Sequence, residues 1–136
     1  MSDLLMDREG PVVVLTMNRP ARRNAMTLAM FGRLADAWDE IDADETIRAC
    51  ILTGAGDHFC AGMDLRAMAG DADATDDYDV AGRMEREGSG WIYDGLLKTR
   101  HPRVPIIAAV EGNAIAGGTE ILQGTEIRVA GESATF

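Results

Sequence analysis

Two segments of this sequence carry residues whose types and spacing could do chemistry through the main chain: ILTGAGDHFCAGMDL (residues 51–65) and IAAVEGNAIAGGTEI (residues 107–121). Both follow one plan: an apolar run, a glycine-containing loop, a small residue beside glycine, then a helix-like start. A strand that passes through a glycine-rich turn into a helix leaves amide N–H groups pointing into open space, at the positive end of the helix dipole. Two such turns side by side would offer two convergent donors to an oxygen that gains negative charge. Other chemistries fail on particular residues. The stretch 112–118 lacks the lysine followed by serine or threonine of a phosphate loop, and its glycine spacing does not match a dinucleotide fingerprint. No G-x-S-x-G elbow exists, which removes the usual serine hydrolase. Residues 70–79 are rich in aspartate, yet the turn glycine and closing bidentate glutamate of a calcium loop are missing, and no metal site is expected. What remains is a backbone anion hole with an acid nearby. On either segment alone the glycines would be read as permitting tight turns and close packing. Two matched segments reverse that preference.

The elements that must position these turns are legible in outline. Leu4 to Met6 and Val12 to Met17 are short apolar runs separated by Asp7-Arg8-Glu9-Gly10, which predicts a hairpin, and Asn18-Arg19-Pro20 closes its second strand. From Thr27, an N-cap residue, the spacing of Leu28, Phe31, Leu34, Ala35, Trp38 and Ile41 predicts a helix covering one face of a sheet. Ala49 to Thr53 and Val104 to Val110 suit buried strands. Between them lies an insertion whose acidic part, about residues 70–80, is expected to be a mobile, solvated loop, followed by a more helical stretch from Val80 to Thr99.

A chain of 136 residues can bury one core of ordinary size. Its formal charge of -10 argues against nucleic acid and anionic membranes as partners. No apolar stretch approaches a membrane span and the start has no signal-peptide pattern, so a cytoplasmic location is expected. Cys50 and Cys60 fit no metal or redox spacing and read as inert free thiols. His58 and His101 read as structural or solvated loop residues, and Trp38 and Trp91 as packing.

Phe59-Cys60-Ala61-Gly62-Met63-Asp64-Leu65 and the run from Ala109 to Glu120 resemble the two signature segments of the crotonase family, the enoyl-CoA hydratases and isomerases. Leu15-Thr16-Met17-Asn18-Arg19-Pro20 with Arg23-Asn24-Ala25-Met26 is similar to that family's first strand and turn. The resemblance implies an α/β fold, a spiral of repeated ββα units, with residues 1–136 as the amino-terminal part of one core domain and the carboxy-terminal helices absent. It implies that the Met63 and Gly117 amides form the oxyanion hole, and that Glu120 is one of two hydratase glutamates, set in a dry pocket to hold or deprotonate water. It also implies that Ala61, Asp64, Leu65, Arg66 and Arg23 lie along the bound coenzyme A, with Arg22, Arg23 and Arg66 as phosphate candidates. The implied substrate is a 2-enoyl-CoA thioester, and no separate cofactor is expected because coenzyme A is part of that substrate. A homo-oligomer, trimer or hexamer, is implied for the full-length form.

The second family glutamate would lie roughly twenty residues after Glu120, and the sequence stops at Phe136. The 136 residues therefore read as a truncated product with little or no hydratase activity alone. Enoyl-CoA isomerase and carnitinyl-CoA-type dehydratase are alternatives within the family. A non-catalytic CoA-thioester-binding module is the alternative of another class.

Overall fold

The structure, a computed structural model, describes residues 1–70 and 75–136. It opens on a hairpin of β1 (Leu4–Glu9) and β2 (Val12–Met17), paired antiparallel from Leu4↔Met17 to Glu9↔Val12. The first strand runs three residues beyond the expected Met6, because Asp7, Arg8 and Glu9 find ladder partners in Val14, Val13 and Val12. On β2 the alternation is strict: Val13, Leu15 and Met17 are buried and their neighbours are not.

The predicted helix is α1 (Leu28–Ala43). Thr27 caps it as its spacing indicates, its Oγ1 accepting from the Met30 amide at 3.0 Å and donating to the Asp3 carboxylate at 2.5 Å. Leu34, Trp38 and Ile41 are buried in the core with Leu15, Leu52 and Ile106, each contributing about 1.5–3 kcal/mol of apolar burial. Trp38 also donates from Nε1 to the Gly95 carbonyl at 3.1 Å.

Downstream come β3 (Ala49–Gly54), α2 (Leu65–Met68), α3 (Val80–Glu87), α4 (Gly90–Gly95), β4 (Ile106–Val110), α5 (Gly117–Glu120) and β5 (Ile127–Ala130). The strands form one sheet in the order β1-β2-β3-β4-β5, parallel from β2 onward. This is the mixed α/β layout expected. The helical stretch 80–99 is interrupted at Gly88, whose φ of 70° ends α3 before α4 begins. The fourth strand starts at Ile106 and not Val104, since Pro105 has no N–H for a ladder. Among the described residues no helix is long and apolar enough to cross a membrane.

Asp71 to Ala74, part of the acidic segment, lie outside the described residues. Beyond them the expectation of a solvated loop is corrected at Asp76. Its side chain is 0% exposed, it takes Arg33 Nε and Nη2 at 2.7 Å each, and it accepts from the Asp3 amide at 2.6 Å. An arginine fork on the first helix pairs this charge and replaces its water.

Candidate active site

The two glycine-bearing loops that follow β3 and β4 run side by side as a short parallel ladder. The Phe59 amide donates to the Glu111 carbonyl and the Cys60 amide to the Asn113 carbonyl, both at 2.8 Å, and the Ile115 amide donates back to the Cys60 carbonyl at 2.9 Å. His58 joins the two from the side, its Nδ1 accepting from the Asn113 amide at 3.1 Å. The internal repeat legible in the sequence is thus a spatial pairing of its two copies.

The ladder stops in step on both strands. Gly62 adopts φ +94°, and its carbonyl turns to the Met26 amide at 2.7 Å. Ala116 adopts φ 49° and ψ -115°, a region that glycine enters freely and alanine rarely. Met63 and Gly117 are the next residues along each strand, and among the described residues neither amide N–H has a hydrogen-bond partner. The two lie against each other: a Cβ built on Gly117 would be 3.8 Å from the Met63 nitrogen, and one built on Gly62 would be 3.5 Å from the Gly117 nitrogen. Gly118 explains the closeness, because a Cβ there would meet the Cys60 carbonyl oxygen at 2.3 Å. Unpaired, adjacent and fixed, two such N–H groups can receive one anionic oxygen. The expected helix-dipole contribution is small, since α2 and α5 are single turns of four residues.

Cys60 sits beneath these donors without chemistry of its own. Burial pushes its thiol up to about 11, so it stays protonated at neutral pH, and Cys50 is pushed up to about 12 by the same cause.

Glu120 ends α5, three residues after Gly117. Its carboxylate is 43% exposed and pairs with Lys98 Nζ at 2.5 Å, so the dry surroundings expected of it are not found. Lys98 follows Leu97, a buried residue held at φ 57°, and no sequence spacing announced it as a partner.

The remaining candidates divide. Ala61 and Arg23 are brought together, the Ala61 amide donating to the Arg23 carbonyl at 2.9 Å, which ties the 23–26 turn to the first donor loop. Leu65 and Arg66 are exposed on α2 beside Met63. Asp64 differs from these neighbours in that its side chain is turned inward, only 8% exposed. Its Oδ2 accepts from Arg19 Nη1 at 2.8 Å, and its Oδ1 caps α2 by accepting from the Arg66 and Ala67 amides at 3.1 Å. Burial opposes its ionisation, yet the Arg19 hydrogen bond and the two amides outweigh that and hold the carboxyl below its ordinary value. Arg22 lines a cavity of about 420 Å³ with Met1, Asp3, Asn18 and Arg19. A second cavity, about 230 Å³, lies between the start of α1 and α2 and is lined by Leu28, Ala67, Met68, Tyr78 and Val80 among others.

Comparison with known proteins bears on this geometry. Residues 7–136 match the family described as enoyl-CoA hydratase/isomerase. Over 98% of its length the chain is 54% identical to a protein of Mycobacterium tuberculosis named enoyl-CoA hydratase EchA19, of which it covers 48%. The solved structure of an enoyl-CoA hydratase/isomerase from Mycobacterium abscessus superposes with TM-score 0.78 at 46% identity, over 98% of this chain and 46% of that one. A carnitinyl-CoA hydratase from Mycobacterium avium superposes with TM-score 0.80 at 32% identity, over 98% and 48%. The chain spans about half the length of the curated relatives it matches.

Proposed function

This chain belongs to the enoyl-CoA hydratase/isomerase family, and from that premise we propose that it is part of an enzyme that adds water across the double bond of a 2-enoyl-CoA thioester. The observation that carries the reading is the pair of unbonded amides at Met63 and Gly117, each following a residue at positive φ. Water oxygen bonds to the β carbon, the π electrons move onto the thioester oxygen as an enolate, and the enolate then takes a proton at the α carbon. Fixed N–H donors stabilise that oxygen without reorganising, each worth about 3 kcal/mol. Glu120 takes the proton of the attacking water, and a second acid serves the α carbon. Exposed Leu65 and Arg66, with Arg23 on the adjoining turn, line the path of the coenzyme A. Buried, unpaired thiols fit a reducing cytoplasm.

The Lys98–Glu120 ion pair favours a second reading, a CoA-thioester binder without turnover, because it occupies the carboxylate that hydration needs. Glu120→Gln separates the two. The assay is crotonyl-CoA hydration by a protein that contains this chain and turns over. The variant should lower turnover by about 100-fold while leaving crotonyl-CoA affinity within about threefold. Unchanged turnover in the variant removes Glu120 from the chemistry, and absence of crotonyl-CoA binding by the unaltered chain removes the thioester reading itself.

A further inference from the structure

We propose that Arg19 and Asp64 form a buried positioning pair that fixes the direction of the Met63 amide, an inference that rests on the oxyanion-hole reading above. Glycine at 62 permits the φ of +94° that frees the Met63 N–H, but a glycine restrains its own peptide less than any other residue. The restraint must come from the neighbours. On the far side of Met63, the Asp64 amide donates to the Met26 carbonyl at 2.9 Å, and the Asp64 side chain is held at both oxygens, one by Arg19 Nη1 and one by the first amides of α2. Met63 is therefore the single unbonded step between two anchored residues.

Arg19 is itself over-determined. Its Nη1 also donates to the Ala25 carbonyl at 2.5 Å, its backbone N–H to Asn24 Oδ1 at 2.8 Å, and its Nε lies 3.6 Å from Asp3 Oδ1. Asn24 continues the chain of contacts to the Ala55 and His58 carbonyls at 2.9 and 2.6 Å. The arginine thus ties the end of β2, the 23–26 turn and the first donor loop into one body. With side chains 6% and 8% exposed, neither partner reaches a substrate, so any influence on the reaction passes through Met63. A desolvated pair of this kind is costly to assemble and gives little net stability over an apolar pair of similar volume, whereas it fixes geometry in two directions at once.

The test uses the 136-residue chain with crotonyl-CoA labelled with ¹³C at the thioester carbonyl, read by difference infrared spectroscopy. In the unaltered chain the bound carbonyl band lies below that of the free ligand, as a polarised C=O requires. Asp64→Asn keeps a capping residue for α2 but gives Arg19 no anion; it should lose about half or more of that displacement. Affinity for coenzyme A itself should change by less than about twofold, because the acyl oxygen alone feels the donors. The double variant Arg19→Met/Asp64→Asn leaves no unpaired buried charge and decides the matter if the single one does not fold. Arg19→Lys, which keeps the charge and loses the planar fork, is read the same way should both fail. A folded variant with the full displacement overturns the positioning role alone. No displacement in the unaltered chain overturns the oxyanion-hole reading and this inference with it.

Discussion

Gly117 and Gly118 are adjacent in sequence, and adding the same methyl group to each should have opposite consequences. A Cβ on Gly118 would meet the Cys60 carbonyl oxygen at 2.3 Å and the Cys60 carbonyl carbon at 3.0 Å, backbone atoms fixed by the ladder between the two loops. Nothing flexible can yield there, so Gly118→Ala should destabilise folding by about 3 kcal/mol or more. A Cβ on Gly117 meets only the Met26 Cε closely, at 2.7 Å, the free end of a flexible side chain, and the residue opens α5 without a positive φ. Overpacking of about 1–3 kcal/mol is there set against about 1 kcal/mol gained from replacing a helical glycine, for a net cost of about 0–2 kcal/mol. Yet that same methyl stands 3.8 Å from the Met63 nitrogen, where the proposed oxyanion would come. Losing one donor's worth of stabilisation, about 3 kcal/mol, lowers turnover or thioester affinity by about 100-fold. Urea unfolding and crotonyl-CoA hydration, measured on both variants in a protein that contains this chain and turns over, give the comparison. A Gly117→Ala protein that keeps hydration within about twofold refutes the placement of the oxygen between these two amides.

Two further expectations concern strain and acid. Ala116 holds φ 49° and ψ -115° at a cost of about 1–3 kcal/mol, so Ala116→Gly should raise the urea midpoint, the unfolding free energy growing by about 1 kcal/mol after the extra unfolded-state entropy of glycine is subtracted. A lower midpoint would show that the alanine methyl packs usefully. At Asp76 burial opposes ionisation, but the Arg33 hydrogen bond and the Asp3 and Tyr78 amides outweigh it and depress the carboxyl, as similar contacts do at Asp64. A depressed folded-state value means stability that is full above the ordinary carboxylate range, about 4, and lost as pH falls through the folded value. Asp3, raised by burial despite its Thr27 hydrogen bond, contributes in the opposite sense and offsets part of the loss near the top of that window. The urea midpoint should therefore drop from about pH 5 to pH 3, and Asp76→Asn should flatten that slope; equal slopes in both proteins refute the assignment.

What the sequence disclosed follows from which forces are local. Thr27 announces α1 because capping acts within three residues, and the stripe from Leu28 to Ile41 because burial repeats with the helix. Gly62 and Gly117-Gly118 disclosed the two closely approaching loops because such approach leaves room for little else. By contrast β5 is only four residues long and exposed throughout, so its Ile127-Arg128-Val129 alternation is too short to announce a strand. The Asp64 ion pair is not legible because nothing local shows its partner: Arg19 lies 45 positions away and meets it only once β2 and the loop after β3 are packed. The Lys98–Glu120 pair is hidden for the same reason.

A hydrogen-bond donor that serves a reaction must be left unpaired, and an unpaired backbone amide is what folding otherwise eliminates. The structure reconciles these demands at the end of a ladder. Pairing through Cys60 and Ala114 brings the two loops to contact distance, and the positive φ of Gly62 and Ala116 then turns the next amide on each strand out of pairing. Regular structure resumes at once on both, with Asp64 capping α2 and Gly118 starting the contacts of α5 against Cys60. The freedom is confined to one peptide per strand, and the rigidity on either side is what the proposed role requires, a donor that meets charge without moving. It follows that Ala116→Gly should stabilise the fold while weakening carbonyl polarisation, since glycine holds this torsion without strain but restrains the Gly117 amide less.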